Sequence, residues 1–129
     1  MTPHNDRGVR VTLPLRVVSE SNARGHWAGK ARRTKQARET VGLVVGTHLR
    51  VCKAPLPVVV TLTRIAPRRL DDDNLRGALK AARDGVADAL GVDDRDERVE
   101  WLYGQRRGSK RDLTLAQGYG VEVLIESRR

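Results

Sequence analysis

Asp71-Asp72-Asp73-Asn74 places three consecutive carboxylates in a chain of 129 residues whose net charge is +9, and a second acidic pair, Asp93-Asp94, follows downstream. Gathered negative charge repels itself, and the simplest offset is a hard divalent cation. Mg²⁺ held by carboxylate oxygens, with open positions for phosphate oxygens, within a basic surface is what phosphodiester hydrolysis requires. In an extended segment alternate side chains share a face, so Asp71 and Asp73 are expected to bind one metal while Asp72 points away. Asp94, or its neighbour Asp93, completes the ligand set if the loop after Gly91 folds back beside them. The blander alternative is a helix start decorated with acids, which the helix dipole favours. It accounts for one or two carboxylates more readily than for three and a distant pair.

These carboxylates need a frame, and the hydrophobic pattern supplies one. Val9 to Val18 alternates as an opening strand, with Pro14 suited to an edge. A polar, turn-rich stretch from Ser19 to Trp27 leads to a helix over about Lys30–Arg50, carrying Ala37, Val41, Val44, Val45 and Leu49 at helical spacing. Pro55 and Pro57 end it. Pro57–Ile65 is a second strand, nearly continuous in apolar residues and therefore central. The acidic triplet then opens a second helix, about Asn74–Leu90, with Leu75, Ala78, Leu79, Ala82, Val86, Ala89 and Leu90 on one stripe. Asp73 or Asn74 suits its N-cap and Gly91 its C-terminal stop. Val99–Gln105 and Tyr119–Glu126 alternate as two more strands around a basic loop. The order β-α-β-α-β-β describes a single small α+β domain with a mixed sheet and two main helices, its first eight residues loose.

Charge is unevenly spread. Residues 71–100 hold ten acidic and five basic side chains, leaving −5, and the rest of the chain holds six acidic and twenty basic, leaving +14. The surplus points to a polyanion, because neutralising phosphates releases counterions. One cysteine, Cys52, excludes an intrachain disulfide and a thiolate zinc cluster, and no apolar run reaches membrane-spanning length. The expectation is a soluble, cytoplasmic protein. With no Phe and few aromatic residues, the core of a monomer is thin, which invites oligomerisation.

The run Asp71-Asp72-Asp73-Asn74-Leu75, a helix bearing Lys80 and Asp84, and then Asp93-Asp94 resembles the signature of the RusA-type Holliday junction resolvases, over roughly residues 64–101. A weaker echo lies at Ser21-Asn22 with Arg24. The resemblance implies a small, intertwined homodimer of bacterial or phage origin that cleaves four-way or related branched DNA with Mg²⁺. It places Asp71, Asp73 and Asp94 as metal ligands and Asn74 as the motif asparagine. The family's lysine usually stands three residues after that asparagine, where this chain has Gly77. Lys80 lies one turn later and is the expected catalytic cation, with Arg76, one turn before it, as the runner-up. Lys80 pairing with Asp84 on a solvated helix face is the plainer reading of the same residues.

The DNA surface is expected to comprise Arg24, Lys30, Arg32, Arg33 and Lys35 together with Arg76 and the loop residues Arg106, Arg107, Lys110 and Arg111. Trp27 beside them either stacks on an unpaired base or packs locally, and Trp101 and Tyr103 read as core or dimer-interface residues. His4, His26 and His48 lack ligand spacing. Two other readings compete with a nuclease: a branched-DNA-binding protein that has lost catalysis, and a phosphohydrolase of small substrates. The latter finds no Gly-rich phosphate loop to support it.

Overall fold

The computed structural model describes residues 8–17 and 27–128. Its elements run β1 (Val9–Leu13), α1 (Trp27–Val51), β2 (Val58–Ala66), α2 (Asp72–Leu90), β3 (Val99–Arg107) and β4 (Gly120–Ser127), the expected α+β order. Several boundaries differ for local reasons. β1 stops at Leu13 because Pro14 has no N–H to donate, and Leu15 N turns back to Leu13 O at 2.8 Å. α1 begins at Trp27, three residues before the expected start. β3 runs on to Arg107, so Arg106 and Arg107 belong to the strand and not to the basic loop.

The sheet order is β1-β4-β2-β3. β2 is central as expected, antiparallel to β4 (Leu62 opposite Val123) and parallel to β3 (Leu62 opposite Tyr103). Alternate β2 residues Val58, Val60 and Leu62 are fully buried against the helices. There they meet Val41 and Val45 of α1 and Leu75, Leu79, Ala82 and Val86 of α2. Each large side chain so buried contributes about 1.5–3 kcal/mol. The two helices cross where Gly85 touches α1: a Cβ there would lie 2.6 Å from the Arg38 carbonyl and 2.9 Å from Val41 Cβ. Arg38 and Asp88 close the same crossing from outside, Nε to Oδ2 at 2.7 Å and Nη2 to Oδ1 at 2.9 Å.

β2, α2 and β3 form a strand-helix-strand crossover between adjacent parallel strands. Such a unit puts the start of its helix at the C-terminal end of the sheet and the end of its helix at the opposite end. The two acidic segments lie at these two connections. Among the described residues no helix is long and apolar enough to cross a membrane.

Candidate functional site

The triplet sits where β2 hands over to α2. The turn before it is held from below. Arg64, buried on the helix side of β2, donates from Nη1 to the Arg68 carbonyl at 2.7 Å. Gln105 of β3 grips Leu70 twice, accepting from Leu70 N at 3.0 Å and donating to Leu70 O at 2.8 Å. Asp71 is then the N-cap, with extended backbone (φ −71°, ψ 169°). Its Oδ1 accepts from Asn74 N at 2.9 Å and its Oδ2 from Asn74 Nδ2 at 3.1 Å.

The cap is therefore Asp71, not Asp73 or Asn74, and the helix starts at Asp72. This overturns the alternation argument for pairing Asp71 with Asp73. Past the cap, successive residues turn by about 100° around the axis, so two-residue spacing no longer defines a face. Asp71, Asp72 and Asp73 are all exposed at the positive end of the dipole.

At the other end, Gly91 takes the left-handed conformation (φ 73°) that stops the helix, as expected, and Val92 N bonds back to Ala87 O at 3.0 Å. In the turn that follows, the Asp93 carboxylate accepts from Arg95 N at 2.9 Å. That bond is the main cause holding the Asp93 pKa below the usual carboxylate value. Asp96 is held down at about 2 by the Arg98 side chain and N–H. The Asp94 carbonyl accepts from Arg83 Nη2 at 2.8 Å. Arg83 also donates to the Tyr103 hydroxyl at 2.7 Å and lies 4.7 Å over the Trp101 ring.

The loop after Gly91 thus folds back only as far as the middle of α2. Arg83 stands ten residues beyond Asp73, about 15 Å along the axis at 1.5 Å per residue. Among the described residues, no three His, Cys, Asp or Glu side chains gather as a group able to hold a metal ion, so the single chain does not bring Asp94 to Asp71 and Asp73. In kind, the exposed carboxylates at the helix start suit Mg²⁺. It takes hard oxygen donors and is commonly held by one or two carboxylates, with water and phosphate oxygens completing the shell.

Between these segments runs a cationic ridge. Arg76, Lys80 and Arg83, at helical spacing, line a groove of about 520 Å³ with Gly77, Asp94, Arg95 and Tyr103. Arg76 lies 5.7 Å over the Tyr103 ring. Lys80 pairs with Asp84 at 3.3 Å, as its spacing suggested, yet remains 70% exposed. A Cβ at Gly77 would meet nothing within 4 Å, so the motif's lysine position faces open space. On the neighbouring side, a cleft of about 280 Å³ brings Arg16 and Arg33 to Gly77 and Lys80.

The remaining basic residues divide. Arg32, Arg33 and Lys35 are exposed on the first turns of α1, and Lys30 is half-buried. Arg107, Lys110 and Arg111 are exposed at the C-terminal end of β3 and in the loop beyond it. Arg106 lies on the sheet face away from the helices, where it and Arg10 clasp the buried Glu122. It is thus an ion-pair partner on the face opposite the groove. Arg24, with Ser21, Asn22 and His26, lies outside the described residues. Trp101 and Tyr103 are half-buried and pack at the core margin, consistent with a core role.

Arg83 and Gln105 were missed by the sequence reading. Arg83 had a signal, since it continues the Arg76–Lys80 row by three residues. Gln105 had none, because its partner Leu70 is 35 residues away.

No family model matches the chain. It is 40% identical to a protein of Xylella fastidiosa (strain Temecula1) described as uncharacterized, the match covering 66% of this chain and 60% of that one. The chain thus spans about 60% of the length of the relative it matches.

Proposed function

We propose that this protein is a Mg²⁺-dependent, structure-selective endodeoxyribonuclease acting on four-way or related branched DNA, working as a homodimer. The observation that carries the reading is an exposed triple-carboxylate helix start followed by a row of cations, within a chain of charge +9. The motif resemblance to RusA-type resolvases, which includes the same carboxylates, supports it. Asp71 and Asp73 would hold the metal. When bound, Mg²⁺ supplies a Lewis acid for the scissile phosphate and lowers the pKa of a water.

The chain's own residues do the rest. Arg76 and Lys80 stand on the turns after the carboxylates, able to balance charge on a phosphate seated over the helix start. Arg33 of α1 and Arg16, just past β1, extend the positive surface, where a DNA backbone can be followed. Two copies related by a two-fold axis would match the symmetry of a four-way junction.

The test is incision of a synthetic four-way junction with and without Mg²⁺. Asp73→Asn is expected to lower the rate by more than the roughly 10–100-fold typical of outer-shell changes. Cleavage that survives in this variant would remove Asp73 from the metal site. Sedimentation of the free protein tests the dimer.

A second reading has its own support. Gly77 stands at the motif's lysine position, and Asp94 lies along the middle of α2, apart from the triplet. Both features fit a branched-DNA-binding protein of this fold with impaired catalysis. It is expected to bind junctions with steep salt dependence and to make no incision in Mg²⁺ or Mn²⁺. One product in either metal excludes it.

A further inference from the structure

The acidic turn is held by a residue of another strand, and this is where the structure adds to the chemistry. Leu70 immediately precedes Asp71, and its N–H and C=O both end on the Gln105 carboxamide. The side chain thereby stands in for a neighbouring strand, closing a two-point bridge to a segment outside the sheet. Gln105 lies opposite Arg64 in the β2–β3 register, and Arg64 fixes Arg68 of the same turn. The two side chains secure the backbone on both sides of Arg69.

Arg64 is an unusual anchor. It is 7% exposed, its Nε is buried with no hydrogen-bond partner, and desolvation lowers its pKa. An arginine kept so at the rim of the core is costly, and the bond to the Arg68 carbonyl is what it does in return.

We infer that Gln105 is a positioning residue: by pinning Leu70 through both backbone groups, it sets where the Asp71 carboxylate stands at the head of α2. This rests on the metal-site reading above. Gln105 itself touches no reacting atom. Its amide has the chemistry the task needs, one donor and one acceptor side by side. A glutamate at 105 keeps only the acceptor, and a leucine keeps neither. Tyr103, two residues earlier on the same strand and side, supplies the control, since its hydroxyl serves Arg83 at the far acidic segment.

Three variants, Gln105→Leu, Gln105→Glu and Tyr103→Phe, are compared with the unaltered protein. Mn²⁺ binding is followed by electron paramagnetic resonance, junction cleavage by Mg²⁺ titration, and local opening by hydrogen exchange. Gln105→Leu is expected to weaken Mn²⁺ binding about tenfold and to raise the Mg²⁺ midpoint alike, with little change in the saturated rate. Exchange in the peptide covering 67–74 should quicken about tenfold, the effect of losing a hydrogen bond of ordinary strength. Gln105→Glu should fall between, and Tyr103→Phe should leave the metal midpoint where it was.

Unchanged Mn²⁺ affinity in Gln105→Leu would overturn the inference even if exchange quickens. So would an equal midpoint shift in Tyr103→Phe, which would mark a general effect of strand packing. Unaltered protein that binds Mn²⁺ without cutting DNA sinks the nuclease reading and leaves the positioning role to be decided by the binding data. If it binds no Mn²⁺, both fall.

Discussion

The two acidic segments of this chain are alike in composition and opposite in how they are stabilised. Asp71–Asp73 stand at the N-terminal end of α2, where the helix dipole welcomes anions and Asp71 completes the helix by capping it. Asp93 and Asp94 follow the C-terminal end, where the same dipole disfavours them, and they rest on particular partners. The Asp93 carboxylate is met by the Arg95 N–H, and the Asp94 carbonyl by an Arg83 guanidinium stacked on Trp101. The first segment is built into a helix start, whose dipole and cap favour it, whereas the second lies in a turn held by the Arg95 N–H and the Arg83 guanidinium. It follows that the first leaves the Asp72 and Asp73 side chains facing solvent, while the second is tied to α2 through Arg83.

Arg83→Met breaks this contrast most severely. It keeps the aliphatic stem but forfeits both hydrogen bonds and the ring contact, and a loss of about 2–3 kcal/mol is expected in denaturant unfolding. Hydrogen exchange should rise across 92–96 and stay unchanged across 71–74. Equal loosening at both would show that the segments are not independently held.

Asp71 sharpens the contrast by carrying two roles. Asp71→Ala should lose about 1 kcal/mol from the missing cap, whereas Asp71→Ser, which can still accept from Asn74 N, should recover most of it. Under the proposed function neither variant restores Mn²⁺ binding. If serine restores binding as well as stability, Asp71 is only a cap.

The smallest effect concerns pH. Arg98 holds the folded Asp96 pKa at about 2, below the roughly 3.9 of an unfolded aspartate. A depressed carboxyl pKa contributes stability that is fully present above about pH 4 and is lost as pH falls toward 2. The unfolding temperatures of the unaltered protein and Asp96→Asn should therefore differ slightly at neutral pH and converge near pH 2. A gap that persists at pH 2 would mean the asparagine acts through the turn and not through charge.

What could be read from the chain follows from the range of each interaction. The Leu75–Leu90 stripe and the Gly91 stop were legible because helical period and left-handed glycine are local properties. β2 was recognisable as central because its run of β-branched and apolar residues is nearly unbroken, although its outward-facing Val59, Thr61 and Thr63 are only half-buried. The cap was misplaced by two or three residues, since Asp71, Asp73 and Asn74 are all competent caps and only the turn before them decides. That turn answers to Arg64 and Gln105, and Gln105 carries no periodic signal of its own.

The amino-acid sequence by itself determined the order of elements, the apolar faces that join them, and the placing of three carboxylates at a helix start in a basic chain. These depend on neighbours a few residues apart. Only the tertiary structure decided which carboxylates share a region. The β2-α2-β3 crossover sends the two acidic segments to opposite ends of one helix, so Asp94 meets Arg83 and not Asp73. It likewise decided that Arg106 serves Glu122 on the far face of the sheet, and that a glutamine 35 residues away holds the turn on which Asp71 stands. Such pairings arise when a sheet closes, and nothing in local periodicity encodes them.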